Sequence, residues 1–327
     1  MATKTRAVKA KKPAALPKFI SPQLATLVDE TPEGDGWLFE VKFDGYRTLT
    51  AASGDRVRCY TRTGLDWTER YGAIPDALAK LKLDGALLDG EVAVVDQHGH
   101  SNFADLQETL KHGGKALSYF VFDLLALGGE DLRRVPQLQR KERLKTLLKR
   151  AKPPIFYSDH ITGAKAGRLM LQTLCQKQFE GVIAKRADSL YASRRSHDWL
   201  KIKCAAEQEF VIIGYTLSDK DREFSSIVLA VNENGALTYT GRVGTGFSVE
   251  TLGSLYKKFK KLERATPPVK EYPREIRRYT KWLEPKLVAQ IGFANFTAEG
   301  YVRQGKFLGL REDKPASAVK REQPVAL

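Results

Sequence analysis

The chain is poor in the residues that build metal or redox scaffolds. Its three cysteines, Cys59, Cys175 and Cys204, are scattered with no Cys-x-x-Cys spacing, so neither a zinc site nor a disulfide framework is expected. That usage suits a reduced, intracellular compartment. His98 and His100 lie close together, but in Asp-Gln-His-Gly-His, which reads as a hairpin turn rather than a metal site. No apolar run approaches the roughly 20 residues that span a bilayer, and no secretory core follows the N-terminus. A cytoplasmic location is expected, with no membrane contact. Acidic residues are missing from the first 18 positions, which carry Lys4, Arg6, Lys9, Lys11, Lys12 and Lys18. This Lys- and Pro-rich stretch lacks the amphipathic face of a presequence. It reads as a disordered basic arm that grips phosphates, or else as an inert tail.

What is present points to a soluble globular protein with a polyanionic partner. Apolar residues make up 42% of the 327, enough for about two domains with proper cores. The formal charge of +15 otherwise only adds self-repulsion, so nucleic acid is the first candidate partner.

Strand-like runs at 37–42, 46–52, 56–60, 87–95, 118–124, 181–185 and 199–203 mix with helical spacing over 74–82, 138–150 and 164–177. After about residue 206 the pattern changes to short strands, with a turn at Asn232-Glu-Asn-Gly235, one helix over 248–264 with Ser248 as N-cap, and strands over 287–297 and 301–308. Several short strands with one inserted helix suggest a small Greek-key barrel of the OB type. The fold class is therefore α+β: an arm at 1–18, a mixed domain at 19–205, an OB-fold β-barrel domain at 206–316 and a tail at 317–327.

The octet Glu40-Val-Lys-Phe-Asp-Gly-Tyr-Arg47 places Lys42 on a strand running into a turn, where a lysine can attack a nucleotide phosphate. Period two puts Glu40 and Lys42 on one face, away from Phe39 and Val41. The bland alternative is a half-exposed strand with its charges outward. Glu91 opens an apolar strand after a glycine, where a carboxylate can accept from a ribose or hold Mg²⁺. Phe120 and Phe122 face together; either can stack on a purine, although core packing is the usual fate. Glu180 and Lys185 flank a further strand, and Lys201 and Lys203 project together from Trp-Leu-Lys-Ile-Lys as a polyphosphate site. Arg311 and Lys314 follow the barrel in a charged segment that otherwise reads as a solvated tail.

In this order the motifs resemble those of the ATP-dependent DNA ligases, members of the covalent nucleotidyltransferases. The likeness covers about residues 20–320, and the stretches 191–203 and 307–315 most resemble the ligase module of bacterial ligase D. The resemblance implies an adenylation domain of antiparallel sheets with helices at 19–205, and self-adenylation of Lys42 by ATP with Mg²⁺ or Mn²⁺. Lys42 would then need a pKa lowered from about 10.4. Glu40 would recognise adenine and Phe122 stack on it; Arg47, Arg62 and Glu91 would hold the ribose and the nick phosphate. Glu180, with Glu91, would support the metal, and Lys185, Lys201 and Lys203 would face the α-phosphate. Arg311 and Lys314 would reach the pyrophosphate. The implied substrate is nicked duplex DNA, sealed by a monomer in repair or end joining, with the end-binding protein Ku or a repair polymerase as partner. An mRNA guanylyltransferase or RNA ligase of the same superfamily is the alternative.

Overall fold

Strand alternation decides which side chains of the N-terminal part meet and which stay free to do chemistry. A computed structural model describes residues 14–218, 222–322 and 324–325; most of the basic arm lies outside them. The elements begin with β1 (Leu24–Leu27), β2 (Trp37–Val41), β3 (Tyr46–Ser53), β4 (Arg56–Thr61), α1 (Ile74–Lys80), β5 (Ala86–Ala93), α2 (Phe103–Lys111) and β6 (Ser118–Leu127). Then come β7 (Glu130–Asp131), α3 (Gln137–Leu147), β8 (Ile155–Tyr157), β9 (Ile161–Thr162), α4 (Ala164–Gln176), β10 (Gly181–Arg186) and β11 (Arg195–Lys203).

One sheet has the order β1-β11-β10-β2-β9, and a second has β4-β3-β5-β6-β7 with β8 beside β6. Pairing is antiparallel except at β1–β11 and β6–β8, which are parallel. Phe39, Val182, Ala184, Leu200 and Ile202 share the outer face of the first sheet, where Met170, Leu171 and Leu174 of α4 cover them. The inner face turns toward the second sheet. There Trp199 and Tyr191 pack with Leu49, Leu87, Phe122 and Leu125. The far face of the second sheet is closed by α1, α2 and α3 through Ile74, Leu78, Phe103 and Leu144. The two sheets thus enclose a cleft whose walls are the polar faces of β2, β10 and β11.

The C-terminal part comprises β12 (Ala206–Thr216), β13 (Ser226–Glu233), β14 (Ala236–Val243), α5 (Val249–Lys260), β15 (Glu263–Arg264), β16 (Thr280–Phe293), β17 (Asn295–Phe296), β18 (Val302–Arg303) and β19 (Lys306–Leu310). Its sheet runs β14-β13-β12-β16-β15, with β19 on β16. The β13–β14 hairpin turns through Asn234 and Gly235, both at positive φ. Ser248 caps α5 by accepting from the Thr251 N–H at 3.1 Å. The helix stops at Lys260 because Glu263 and Arg264 pair instead with Leu283 and Trp282. The expected barrel does not close: among the described residues no ladder joins β14 to β19. Gly246, at φ 89°, turns the chain away after β14, and contact passes through a Phe307 N–H to Thr245 C=O bond of 2.9 Å.

A second correction concerns the cysteines. Cys175 and Cys204 form a disulfide with Cα atoms 5.1 Å apart. The intervening chain runs out along β10 and back along β11, bringing together two residues whose sequence spacing carries no such signal.

Arg140 of α3 and Asp123 of β6 are both fully buried and form a bidentate pair, 2.8 and 2.9 Å. Removing one partner leaves an uncompensated charge in the core. Arg140→Leu is expected to destabilise the protein by about 3–5 kcal/mol, read from the midpoint of urea unfolding; a change too small to measure would contradict this account.

Candidate active site

Lys42 follows directly on β2, and its N–H donates to the Gly181 carbonyl at 3.0 Å. Gly181 permits this: a Cβ there would lie 2.0 Å from the Ile202 carbonyl oxygen. The turn after Lys42 is equally tight, since a Cβ on Gly45 would meet the Val92 oxygen at 2.3 Å. The Lys42 ammonium lies 2.5 Å from the Glu180 carboxylate, with Lys203 at 4.0 Å from the same group. Burial works against the charge on Lys42, but Glu180 outweighs it, assisted by Asp44 and Glu91, and holds the ammonium well above the ordinary lysine value. The nucleophile reading calls for the opposite shift. The carboxylates around Lys42 outweigh burial and the neighbouring cations.

Three of these carboxylates converge. Asp44, Glu180 and Glu207 each bring an oxygen to within 4.8 Å of the others, and Glu180 Oε2 is buried with no hydrogen-bond partner among the described residues. Burial, then the Glu180 and Glu207 charges, push Asp44 up to about 8. Burial and Glu180 likewise raise Glu207. Crowded acids with an orphaned oxygen form a hard donor set that fits a dication such as Mg²⁺. Glu91 faces the same cavity but stands outside this trio. Burial raises it to about 7 against the pull of Arg47, Lys42 and Arg311.

Arg47 is fixed rather than free: its guanidinium binds Asp89 at 2.5 and 2.7 Å and lies 4.6 Å from the Phe122 ring centre. Asp89 is fully buried and also accepts from the Tyr191 hydroxyl at 2.7 Å. Arg62, Lys201 and Lys203 line the cavity. Arg311 enters it from the C-terminal part, held by Asp313 at 2.9 Å on two nitrogens and set over Tyr46 and Phe103. Lys314 lies in the adjoining groove and pairs with Glu209, whose carboxyl the Arg311 and Lys314 charges hold at about 2 despite burial.

At the other end of the cleft, Glu40 is almost fully buried between Lys185 at 3.0 Å and Lys141 at 2.9 Å. Burial opposes its charge, yet the two lysines keep its pKa below the usual value. Burial lowers Lys185 to about 8 in spite of Glu40. Lys185 therefore meets Glu40 and Phe122, whose ring centre is 4.1 Å away, instead of standing beside Lys201 and Lys203. Phe43 stacks on Phe120 at 3.9 Å and lines the same cavity.

Sequence reading passed over Asp89, Lys141, Glu207, Glu209 and Asp313. Asp89 directly precedes Gly90-Glu91, and Asp313 lies inside the motif of Arg311, so adjacency was an available signal for both. Lys141 sits in a helix with no local mark of burial.

Known proteins resemble this chain over most of its length. A family model described as the ATP dependent DNA ligase domain matches residues 18–203, and one described as the ATP dependent DNA ligase C terminal region matches residues 220–314. The multifunctional non-homologous end joining protein LigD of Pseudomonas aeruginosa is 40% identical over 316 residues, 94% of this chain and 37% of that protein. The SPbeta prophage-derived DNA ligase-like protein LigB of Bacillus subtilis is 31% identical over 205 residues, 62% of this chain and 73% of that one. A solved mycobacterial DNA ligase D complexed with ATP and MES matches with a TM-score of 0.63 at 32% identity, covering 91% of this chain and 98% of that one. The chain spans little more than a third of the length of the LigD proteins it matches. With both halves of the cleft matched, the chain belongs to the ATP-dependent DNA ligase family.

Proposed function

We propose that this protein seals nicks or breaks in duplex DNA through a covalent lysyl-AMP on Lys42, in end-joining repair. The observation that carries the reading is that Lys42 opens onto one cavity lined by two chemically distinct groups. Glu40 and Phe122 gather around Lys185, while Lys42 meets Glu180 with Lys203 near it, and Lys201 and Arg311 line the same cavity. A nucleotide fits with its base by the first group and its phosphates by the second.

The Lys42 amine attacks the α-phosphorus of ATP; an N–P bond forms and the P–O bond to pyrophosphate breaks. Lys42 must first lose a proton that Glu180 holds in place. Glu180, Asp44 and Glu207 would hold Mg²⁺, which would supply positive charge that offsets the phosphates. Lys201 and Lys203 stabilise the non-bridging oxygens, and Arg311 meets the leaving pyrophosphate. AMP then passes to the 5′-phosphate of a nick, and the 3′-hydroxyl displaces it. The basic excess and Arg62 serve DNA contact. The end-joining name of the 40% identical relative supports the repair role; the same proposal takes Ku or a polymerase as partner and the cytoplasm as location.

Glu40 favours ATP over GTP, because a carboxylate accepts from the adenine amino group and repels the guanine carbonyl. Incubation with α-labelled ATP is expected to leave label on the denatured protein, and Lys42→Ala to abolish it. Labelling from GTP alone would instead favour the capping reaction.

Sealing is expected to weaken steeply with salt while self-adenylation changes little, since only sealing engages the phosphate backbone; equal slopes in the two assays would refute DNA clamping by the basic surface. Glu180→Gln and Glu207→Gln are each expected to weaken Mn²⁺ binding measured by electron paramagnetic resonance without nucleotide. Unchanged binding in both would remove the metal assignment.

A further inference from the structure

The family match stops at residue 314, yet the chain beyond it returns to the nucleotide cavity. Residues 316–321 are tied to the C-terminal domain. The Asn232 amide donates to the Ala316 and Val319 carbonyls at 2.7 and 2.9 Å, and Val319 is fully buried in that domain's core. Arg321 pairs with Glu233 at 2.6 Å. The next residue crosses to the other domain. The Glu322 N–H donates to Gln208 Oε1 at 3.0 Å, and both its carboxylate oxygens lie 2.7 Å from Lys201 Nζ. Three residues on, the Val325 N–H reaches the Leu27 carbonyl of β1 at 3.0 Å.

Resting on the lysyl-AMP reading above, we propose that Glu322 is a positioning residue for Lys201. Anchored on the C-terminal domain, it holds Lys201 charged and aimed at the phosphates while the domains are together, and so serves AMP transfer to Lys42 rather than the later sealing.

Lys201 needs such a partner. Its side chain is only 14% exposed, and it shares a face with Lys203 and approaches Lys42, so burial and like charge both favour loss of its proton. The residues opposite it on β10 and β1, Ile183 and Leu27, are apolar and offer nothing in return. Glu322 is the acid that faces it. Even so, burial brings Lys201 down to about 8, while Lys201 and Lys203 hold Glu322 near 2 against burial and Glu209. A carboxylate at this distance moves a lysine by about one pH unit or more, and each unit lost reduces the charged fraction about tenfold once the pH exceeds both values. The competing reading makes Glu322 a phosphate mimic that ATP must displace.

The full chain with E322Q or E322D separates these. Single-turnover transfer from α-labelled ATP, and sealing of a pre-adenylylated nick without ATP, are followed from about pH 6.5 to about pH 9. The E322Q to wild-type ratio for transfer is expected to fall as pH rises, reaching about tenfold or more at the alkaline end, through the limiting rate more than the KM for ATP. E322D restores part of it, and the sealing ratio stays flat with pH. Faster transfer or a lower KM for ATP in E322Q would overturn the proposal in favour of a phosphate mimic. A ratio unchanged at every pH, or equal pH-independent losses in both steps, would overturn it too. Wild-type protein without label would sink the lysyl-AMP reading and this proposal with it.

Discussion

The burial of one face of β2, β10 and β11 under α4 is the constraint on which the site depends. Once Phe39, Val182, Leu200 and Ile202 are committed to that core, alternation leaves Glu40, Trp199, Lys201 and Lys203 no choice but the opposite face. A slip of one residue in any of these strands would exchange a core residue for a charge. Hydrophobic packing therefore sets the positions of groups whose own interactions are mutually repulsive. Gly181 and Gly45 then draw the backbones close enough for Lys42 and Glu180 to meet.

Charge in the cleft is separated into districts. Glu40 is sealed by two lysines, Asp89 by Arg47 and Tyr191, and Asp123 by Arg140. Asp89 and Asp123 are satisfied within the protein, so each holds its wall in one shape, whereas Glu40 keeps one buried oxygen with no hydrogen-bond partner among the described residues. The trio of Asp44, Glu180 and Glu207 is different, because burial and then mutual repulsion raise Asp44 and Glu207. That contrast marks where structure ends and reactivity begins: satisfied pairs frame the cleft, and unsatisfied ones occupy its centre.

Much of this was legible in the sequence because it follows from short periods. The strands of the first sheet, the polar face of β2, the Ser248 cap and the Asn234-Gly235 hairpin all depend on residues within a few positions of one another. Long-range pairing was less accessible. The disulfide between Cys175 and Cys204, the lysine pair on Glu40 and the contact of Glu322 with Lys201 join segments that only the fold brings together. The C-terminal part is consistent with the expected OB-fold, but its sheet stays open between β14 and β19 among the described residues, because the turn at Gly246 that separates them has no period at all. Helix α2 escaped notice because only Phe103 and Leu106 of its nine residues are buried.

Arg311 is the cation that the C-terminal domain inserts into its neighbour, yet its strongest partner, Asp313, lies two residues along the same chain. Across the boundary Arg311 meets the aromatic rings of Tyr46 and Phe103 and makes a long hydrogen bond of 3.4 Å to the Gly45 carbonyl. Were the two parts to separate, Arg311 would leave accompanied by its own counterion. It would give up a cation–π seat worth about 0.5–2 kcal/mol, and the ion pair to be broken would be that of Glu322 with Lys201. The insertion can thus be sharply oriented and still readily reversible.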